Sequence, residues 1–318
     1  VSGEVEGTSA GDAHDTRGRV LRDVRISVTD RCNFRCTYCM PRTAFGPGHR
    51  FLPRAETMSA AEIGRVARVV VRLGATKVRL TGGEPLLRAD LEEVIGEVRG
   101  AGVADIALTT NGSLLAQRAH SLRAAGLHRV TISLDTLDAA VHARLSDSGV
   151  DLRAVLSGIS AARDAGFAPL KLNAVIRRGV NESAIPALVD FARTHGDTMR
   201  FIEYMDVGES NGWQPAEVVP GAEILAVISR HHPIEPVEGA PVAEVARRHR
   251  FLDGRGEVGV ITSVSEPFCG SCTRLRISAD GKLFTCLFAT SGTDLLGVLR
   301  THADDDALEA LVRGVWSA

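Results

Sequence analysis

The feature that most restricts the fold of this chain is an alternation of short apolar, β-branched runs with amphipathic helical stretches, repeated between Asp23 and Met205. The strand candidates are Val24–Val28, Lys77–Thr81, Asp105–Thr109, Val130–Leu134, Leu170–Ile176 and Met199–Tyr204. Between them lie patterns such as SAAEIGRVARVVVRLG, ADLEEVIGEVRGAG and AIPALVDFARTHG, each closing on a glycine suited to a helix C-terminus. Strand and helix in regular alternation call for a parallel sheet wrapped by helices. Six such units predict an α/β fold, an incomplete (β/α)6 barrel of TIM type. In barrels of this kind the chemistry collects where the strands end. Here those ends read TDRC, TGGEP, TTNG, SLD, KLN and EYM, so polar and turn-forming residues gather at one rim.

After about Asn211 the rhythm breaks into shorter strands with more Pro and Gly. The expected organisation is a disordered arm over 1–19, the partial barrel over 20–210, and a smaller α+β region over 211–318 that closes one side. A net charge of −2 and an aromatic content of 4% argue against a nucleic-acid partner. No apolar run reaches the 18 residues of a membrane span. The opening residues carry no hydrophobic stretch, so the expected compartment is a reducing cytoplasm, where disulfides are disfavoured.

Six cysteines fall into two sets of three, with none left over. Cys32, Cys36 and Cys39 form C-x3-C-x2-C directly after the first strand. Cys269, Cys272 and Cys286 form C-x2-C-x13-C near the end, in FCGSCTRLRISADGKLFTC. Soft thiolates at close spacing suit zinc or an iron–sulfur cluster. A structural zinc site wants four protein ligands, and neither set offers an evident fourth Cys or His. Three ligands on a four-iron cube leave one iron open for a small molecule. The segment between Cys272 and Cys286 reads as a hairpin turning at Asp280–Gly281. Arg274 and Arg276 alternate on its first strand, so both point to one face, where they can grip a polyphosphate.

The run RISVTDRCNFRCTYCMP, with Tyr38 before its third cysteine, followed by TGGEP at Thr81–Pro85, resembles the signature of the radical S-adenosylmethionine (SAM) superfamily. The addition of RLTGGEPLLR, LTTNG, RFIEYMDVG, NGW, ITSVSEPFC, CTRLR and CLFAT narrows the likeness to the GTP 3′,8-cyclase family of molybdenum-cofactor biosynthesis, from about Gly18 to Trp316. The resemblance implies the radical SAM type of partial barrel. It also implies two 4Fe-4S clusters, the first on Cys32, Cys36 and Cys39 and the second on Cys269, Cys272 and Cys286. SAM contacts are implied at Tyr38, Gly83, Ser133 and Met205. GTP contacts are implied at Arg25, Arg79, Thr109, Lys171, Arg274, Leu275 and Arg276. No side chain is expected to be a catalytic group. A 5′-deoxyadenosyl radical would take the hydrogen at C3′ of GTP, and the ribose carbon would close onto C8 of guanine.

The implied partners are a reductant such as flavodoxin or ferredoxin and a cyclic pyranopterin monophosphate synthase that receives the product, with the enzyme a monomer or homodimer. Family members run past the tryptophan matching Trp316 into a tail ending in Gly-Gly, thought to enter the active site, whereas this sequence stops at Ala318. The expectation is that SAM cleavage and GTP binding persist here while hydrogen abstraction is poorly coupled. Two other readings stand beside this one. A radical SAM enzyme that modifies a peptide would have no use for the CTRLR pair and Lys171. A two-zinc binding protein would contain no iron.

Overall fold

The computed structural model describes residues 11–207, 209–238, 245–302 and 304–318. Six strands come first: β1 (Asp23–Ser27), β2 (Lys77–Thr81), β3 (Asp105–Thr110), β4 (Arg129–Ser133), β5 (Lys171–Ile176) and β6 (Thr198–Glu203). They pair in chain order, all in parallel. Helices return the chain between them: α1 (Ala60–Arg72), α2 (Leu91–Gly100), α3 (Leu115–Ala125), α4 (Ala139–Ser146), α5 (Leu152–Asp164) and α6 (Ile185–Thr194). This is the barrel that the alternation predicts, with two helices in place of one between β4 and β5. Ser59 starts α1 with a reciprocal cap, its hydroxyl accepting from the Glu62 N–H while the Glu62 carboxylate accepts from the Ser59 N–H. Gly74 follows that helix at φ +102°, a conformation that glycine adopts without a Cβ clash.

The C-terminal residues add α7 (Gly221–His231), β7 (Ile234–Pro236), β8 (Arg247–Phe251), β9 (Glu257–Ile261), β10 (Arg274–Ile277), β11 (Lys282–Phe284), β12 (Thr293–Asp294), α8 (Leu296–Thr301) and α9 (Asp306–Ser317). Their strands continue the barrel sheet at both edges. β9 pairs in parallel with β6, and β10 pairs in parallel with β1, giving one twelve-stranded sheet. β10 and β11 form the expected antiparallel hairpin, with Gly281 at its turn. The connection over 262–273 therefore carries the chain from one edge of the barrel to the other.

Burial along the strands alternates, and the alternation decides what faces where. Val24, Ile26, Val78, Leu80, Ile106, Leu108, Leu172 and Phe201 are fully buried under the helices. The residues between them point to the other face, and they include Arg25, Arg79, Thr109, Thr131, Asn173 and Arg200. A TIM barrel ordinarily fills its interior with branched apolar side chains. This one lines it with cations and hydroxyls.

Of the expected disordered arm, residues 1–10 lie outside the described residues, but 11–19 are packed. Ala13 is 1% exposed, and its N–H donates to the Leu73 carbonyl. The Trp316 indole N–H on α9 donates to the Arg19 carbonyl, and the Ser317 hydroxyl donates to that of His14. The low hydrophobicity that suggested an arm is offset by these bonds to α9, which sequence distance conceals.

Candidate active site

Cys32, Cys36 and Cys39 line a cavity of about 180 Å³ at the rim, together with Tyr38, Gly82, Gly83, Glu84, Thr109, Asn111, Ser133 and Asp135. The loop that carries the cysteines lies directly on the TGGEP turn. Gly83 N–H donates to the Thr29 carbonyl at 2.9 Å, and Glu84 N–H to the Arg31 carbonyl at 2.8 Å. A Cβ at Gly83 would stand 2.3 Å from the Arg31 carbonyl oxygen, so the contact requires glycine. Glu84 is 1% exposed, and its carboxylate accepts from the Thr110 hydroxyl, the Asn111 N–H and the Leu86 N–H. Burial raises its pKa against those three donors.

The Tyr38 hydroxyl donates to Asp135 at 2.7 Å. Burial pushes the Asp135 carboxyl up to about 6, with the Tyr38 hydroxyl and the Val175 N–H acting in the other direction. Burial also pushes the Cys32 thiol up to about 11 and raises Cys36 and Cys39. A metal's positive charge would act against that shift and favour the thiolates.

Cys269, Cys272 and Cys286 line a second cavity of about 460 Å³, inside the barrel and against the 262–273 connection. Its walls include Arg25, Arg79, Arg274 and Arg276, and it shares Thr81 and Thr109 with the first cavity. In register, Arg276, Arg25 and Arg79 are direct neighbours on three adjacent strands. Burial, followed by the neighbouring Arg274, pushes Arg25 down to about 9. Arg79 and Arg276 are lowered as well, by burial first. The Arg79 guanidinium donates to the hydroxyls of Thr109 and Thr131. Nε of Arg25 and one terminal nitrogen of Arg276 are closed off from solvent and have no partner among the described residues. Guanidiniums crowded and left short of acceptors are a site for a polyanion. At Cys272 burial acts to raise the pKa, but Arg274 and Arg276 outweigh it and the thiol is lowered.

Each cavity thus offers three thiols. That donor set fits a multi-iron cluster with an open corner better than a tetrahedral zinc cage.

The residues expected at the first site gather there, except Met205, which lines the second cavity. Lys171 lines neither cavity and stands at the start of β5, opposite Thr131 and Thr198. The Leu275 side chain is fully buried in the core, so of Arg274, Leu275 and Arg276 only the two arginines face the second cavity. Sequence reasoning missed Arg17, Arg19, Asn173 and Arg200, which also line that cavity. Arg200 and Asn173 are bonded at 2.9 Å. Each interrupts an apolar strand, but only the assembled barrel shows that the position faces inward.

A family model described as "Radical SAM superfamily" matches residues 26–192, and one described as "Molybdenum Cofactor Synthesis C" matches 197–318. The GTP 3′,8-cyclase of Acidothermus cellulolyticus is 57% identical over 308 residues, 95% of this chain and 85% of that protein. Its namesake in Xanthomonas axonopodis pv. citri is 47% identical over 304 residues, 95% of this chain and 90% of that protein. Among solved structures, Streptococcus suis SuiB bound to S-adenosylmethionine superposes with a TM-score of 0.66 at 15% identity, covering 93% of this chain and 69% of that one. That likeness speaks for the fold alone, whereas the sequence relatives extend over both cysteine sets. The chain therefore belongs to the GTP 3′,8-cyclase family of the radical SAM superfamily.

Proposed function

We propose that this chain cyclises GTP between C3′ and C8 of its nucleoside, the radical SAM step that opens molybdenum-cofactor assembly, and that it does so across two cavities with different charge. The observation that carries the reading is their continuity through Thr81 and Thr109. A radical abstraction needs its two reactants held in contact, because positioning supplies much of the rate.

Cys32, Cys36 and Cys39 would hold the cluster that, when bound, supplies the electron for reductive cleavage of SAM. Tyr38, Gly83 and Ser133 would seat SAM, with Met205 reaching it from the neighbouring cavity. SAM is a cation, and the Asp135 and Glu84 carboxylates give this cavity the complementary sign. Arg25, Arg79, Arg274 and Arg276 would take the triphosphate by charge-assisted hydrogen bonds. Lys171 adds positive charge two residues before Asn173 on β5, and Thr109 stands at the junction that the ribose must reach. A second cluster on Cys269, Cys272 and Cys286 would receive the guanine end. A low-potential carrier such as flavodoxin or ferredoxin would be the reductant, and a pyranopterin-forming synthase would take the product.

The test is anaerobic reconstitution with iron and sulfide, followed by turnover with SAM and GTP. About eight irons per chain, on three-thiolate ligation at each site, and a cyclised dihydroguanosine triphosphate formed with 5′-deoxyadenosine are expected. A protein that takes up zinc and no iron, or that cleaves SAM but leaves GTP unaltered, would refute the reading.

A further inference from the structure

Glu203, the last residue of β6, is fully buried and pairs with no cation among the described residues. Its carboxylate instead accepts from the N–H groups of Gly221 at 2.6 Å, Val264 at 2.7 Å and Ser265 at 2.8 Å, and from the Ser265 hydroxyl. Buried charge is tolerated when donors satisfy it in this way. The four bonds tie the start of α7 to a turn just beyond β9. The far side of the same turn is closed by the Thr262 hydroxyl, which donates to the Glu266 carbonyl at 3.0 Å.

Between the two pinned points stands Ser263. It lines the second cavity, yet its hydroxyl oxygen is shut off from solvent and has no hydrogen-bond partner among the described residues. A buried orphan hydroxyl is unfavourable and calls for an explanation. Arg25 and Arg276, which carry the other buried unpartnered polar atoms among the residues lining this cavity, stand on the same wall. A serine hydroxyl moves among three staggered positions about a single bond, so it can turn into the cavity while the turn stays fixed.

We infer that the Ser263 hydroxyl is a hydrogen-bonding contact for the nucleoside end of GTP, and that Glu203 is the positioning residue that holds the turn carrying it. The inference rests on the GTP reading above and adds a residue that recognises more than phosphate. Position separates the two ends of the substrate. Arg25 and Arg79 sit two residues before the ends of β1 and β2, roughly 7 Å below the rim at strand spacing. Ser263 lies two residues past the end of β9, on the connection that also carries Phe268, Cys269 and Cys272. A triphosphate seated on the guanidiniums directs its nucleoside toward that connection.

The experiment measures anaerobic binding of GTP and of inorganic tripolyphosphate to the reconstituted protein, wild type and Ser263→Ala. A neutral hydrogen bond predicts GTP affinity about three- to tenfold weaker in the variant, with tripolyphosphate affinity unchanged. The variant should melt no lower than wild type, because it removes an unsatisfied group. Glu203→Gln, whose NH2 must face either the N–H of Gly221 or those of Val264 and Ser265, should reproduce the selective loss of GTP affinity. Equal weakening of both ligands, or unchanged GTP affinity in Ser263→Ala, would overturn the inference. A lowered melting temperature for that variant would assign the hydroxyl to the fold instead. Failure of wild type to bind GTP at all would strike the functional reading, a result distinct from these.

Discussion

The two cysteine cavities share a wall and a ligand count but differ in sign. Around Cys32, Cys36 and Cys39 the carboxylates of Glu84 and Asp135 line the cavity, while Arg35 acts on Cys32 from outside that lining, and all three thiols are raised. Around Cys269, Cys272 and Cys286 guanidiniums line the cavity, and Cys272 is lowered. Three thiolates on a cluster do not choose a small molecule by themselves. The surrounding charge does, so one cavity suits a sulfonium and the other a polyphosphate. The polar lumen is the structural means of keeping them adjacent, because cations placed mid-strand can face a cavity only where the barrel interior is left unfilled.

The largest effects should come from removing either triplet, and they should differ in kind. Cys32, Cys36 and Cys39 changed together to Ala should remove about half the iron and all formation of 5′-deoxyadenosine. The same change at Cys269, Cys272 and Cys286 should also remove about half the iron but leave some SAM cleavage, now uncoupled from GTP. Iron analysis beside quantified deoxyadenosine checks both. Identical loss of cleavage in the two variants would erase the division of labour.

Next in size is the cation cluster. Charge-assisted hydrogen bonds are worth about 1.5–3 kcal/mol each. Arg274→Ala or Arg276→Ala should therefore weaken GTP roughly ten- to a hundredfold while SAM affinity stays near wild type. Calorimetric titration of both ligands decides it. Unchanged GTP affinity in the double variant would favour a substrate without a triphosphate.

Gly83→Ala tests the other side of the comparison. Its new Cβ would press on the Arg31 backbone, which cannot swing away as a side chain would. Overpacking of this kind costs about 1–3 kcal/mol, and it should fall on the cysteine loop that rests there. Iron retention at the first site and SAM affinity should drop, while GTP affinity holds. A variant that binds SAM as wild type does would show that the loop can shift.

Much of this was legible in the sequence, and the exceptions have a common cause. The six barrel strands were legible to within a residue or so at most ends, because alternation of Val, Ile and Leu with lumen residues is a local signal. The cysteine triplets were legible from spacing, and Arg274 with Arg276 from their period of two. The parallel pairing of β10 with β1 was not, since it joins Arg25 to Arg276 with no local trace of the contact. The role of Arg200 was hidden for the same reason: whether an arginine in a strand faces a lumen or a solvent depends on the barrel around it. Ser263 and Glu203 were quoted within ITSVSEPFC and RFIEYMDVG, yet only their geometry separates them from neighbours.

The smallest predicted effect concerns Lys77, at the start of β2. Burial pushes its ammonium down to about 8, the nearby Arg79, Arg129 and Arg25 add to the shift, and Asp23 at 3.8 Å opposes it. A lysine depressed in the folded state releases its proton there before it does in the unfolded chain. Between about 8 and the ordinary 10.5 the unfolded state holds more protons, so this group makes stability rise with pH across that window. Below about 8 the full cost of the buried ammonium is present, desolvation first and repulsion by the neighbouring guanidiniums after it. Lys77 lines neither cavity but stands two residues before Arg79 on β2, so a polyphosphate bound at Arg79 adds negative charge nearby and should return the ammonium toward its ordinary value. Polyphosphate affinity should therefore fall as pH rises through about 8, and the rise in stability should disappear when the ligand is saturating. Lys77→Met removes the titrating group, so both dependences should flatten. Melting curves from pH 7 to roughly 10, with and without tripolyphosphate, compare the two proteins directly. If wild type and Lys77→Met stay parallel across that range, Lys77 lies beyond the reach of a polyphosphate bound at the arginines.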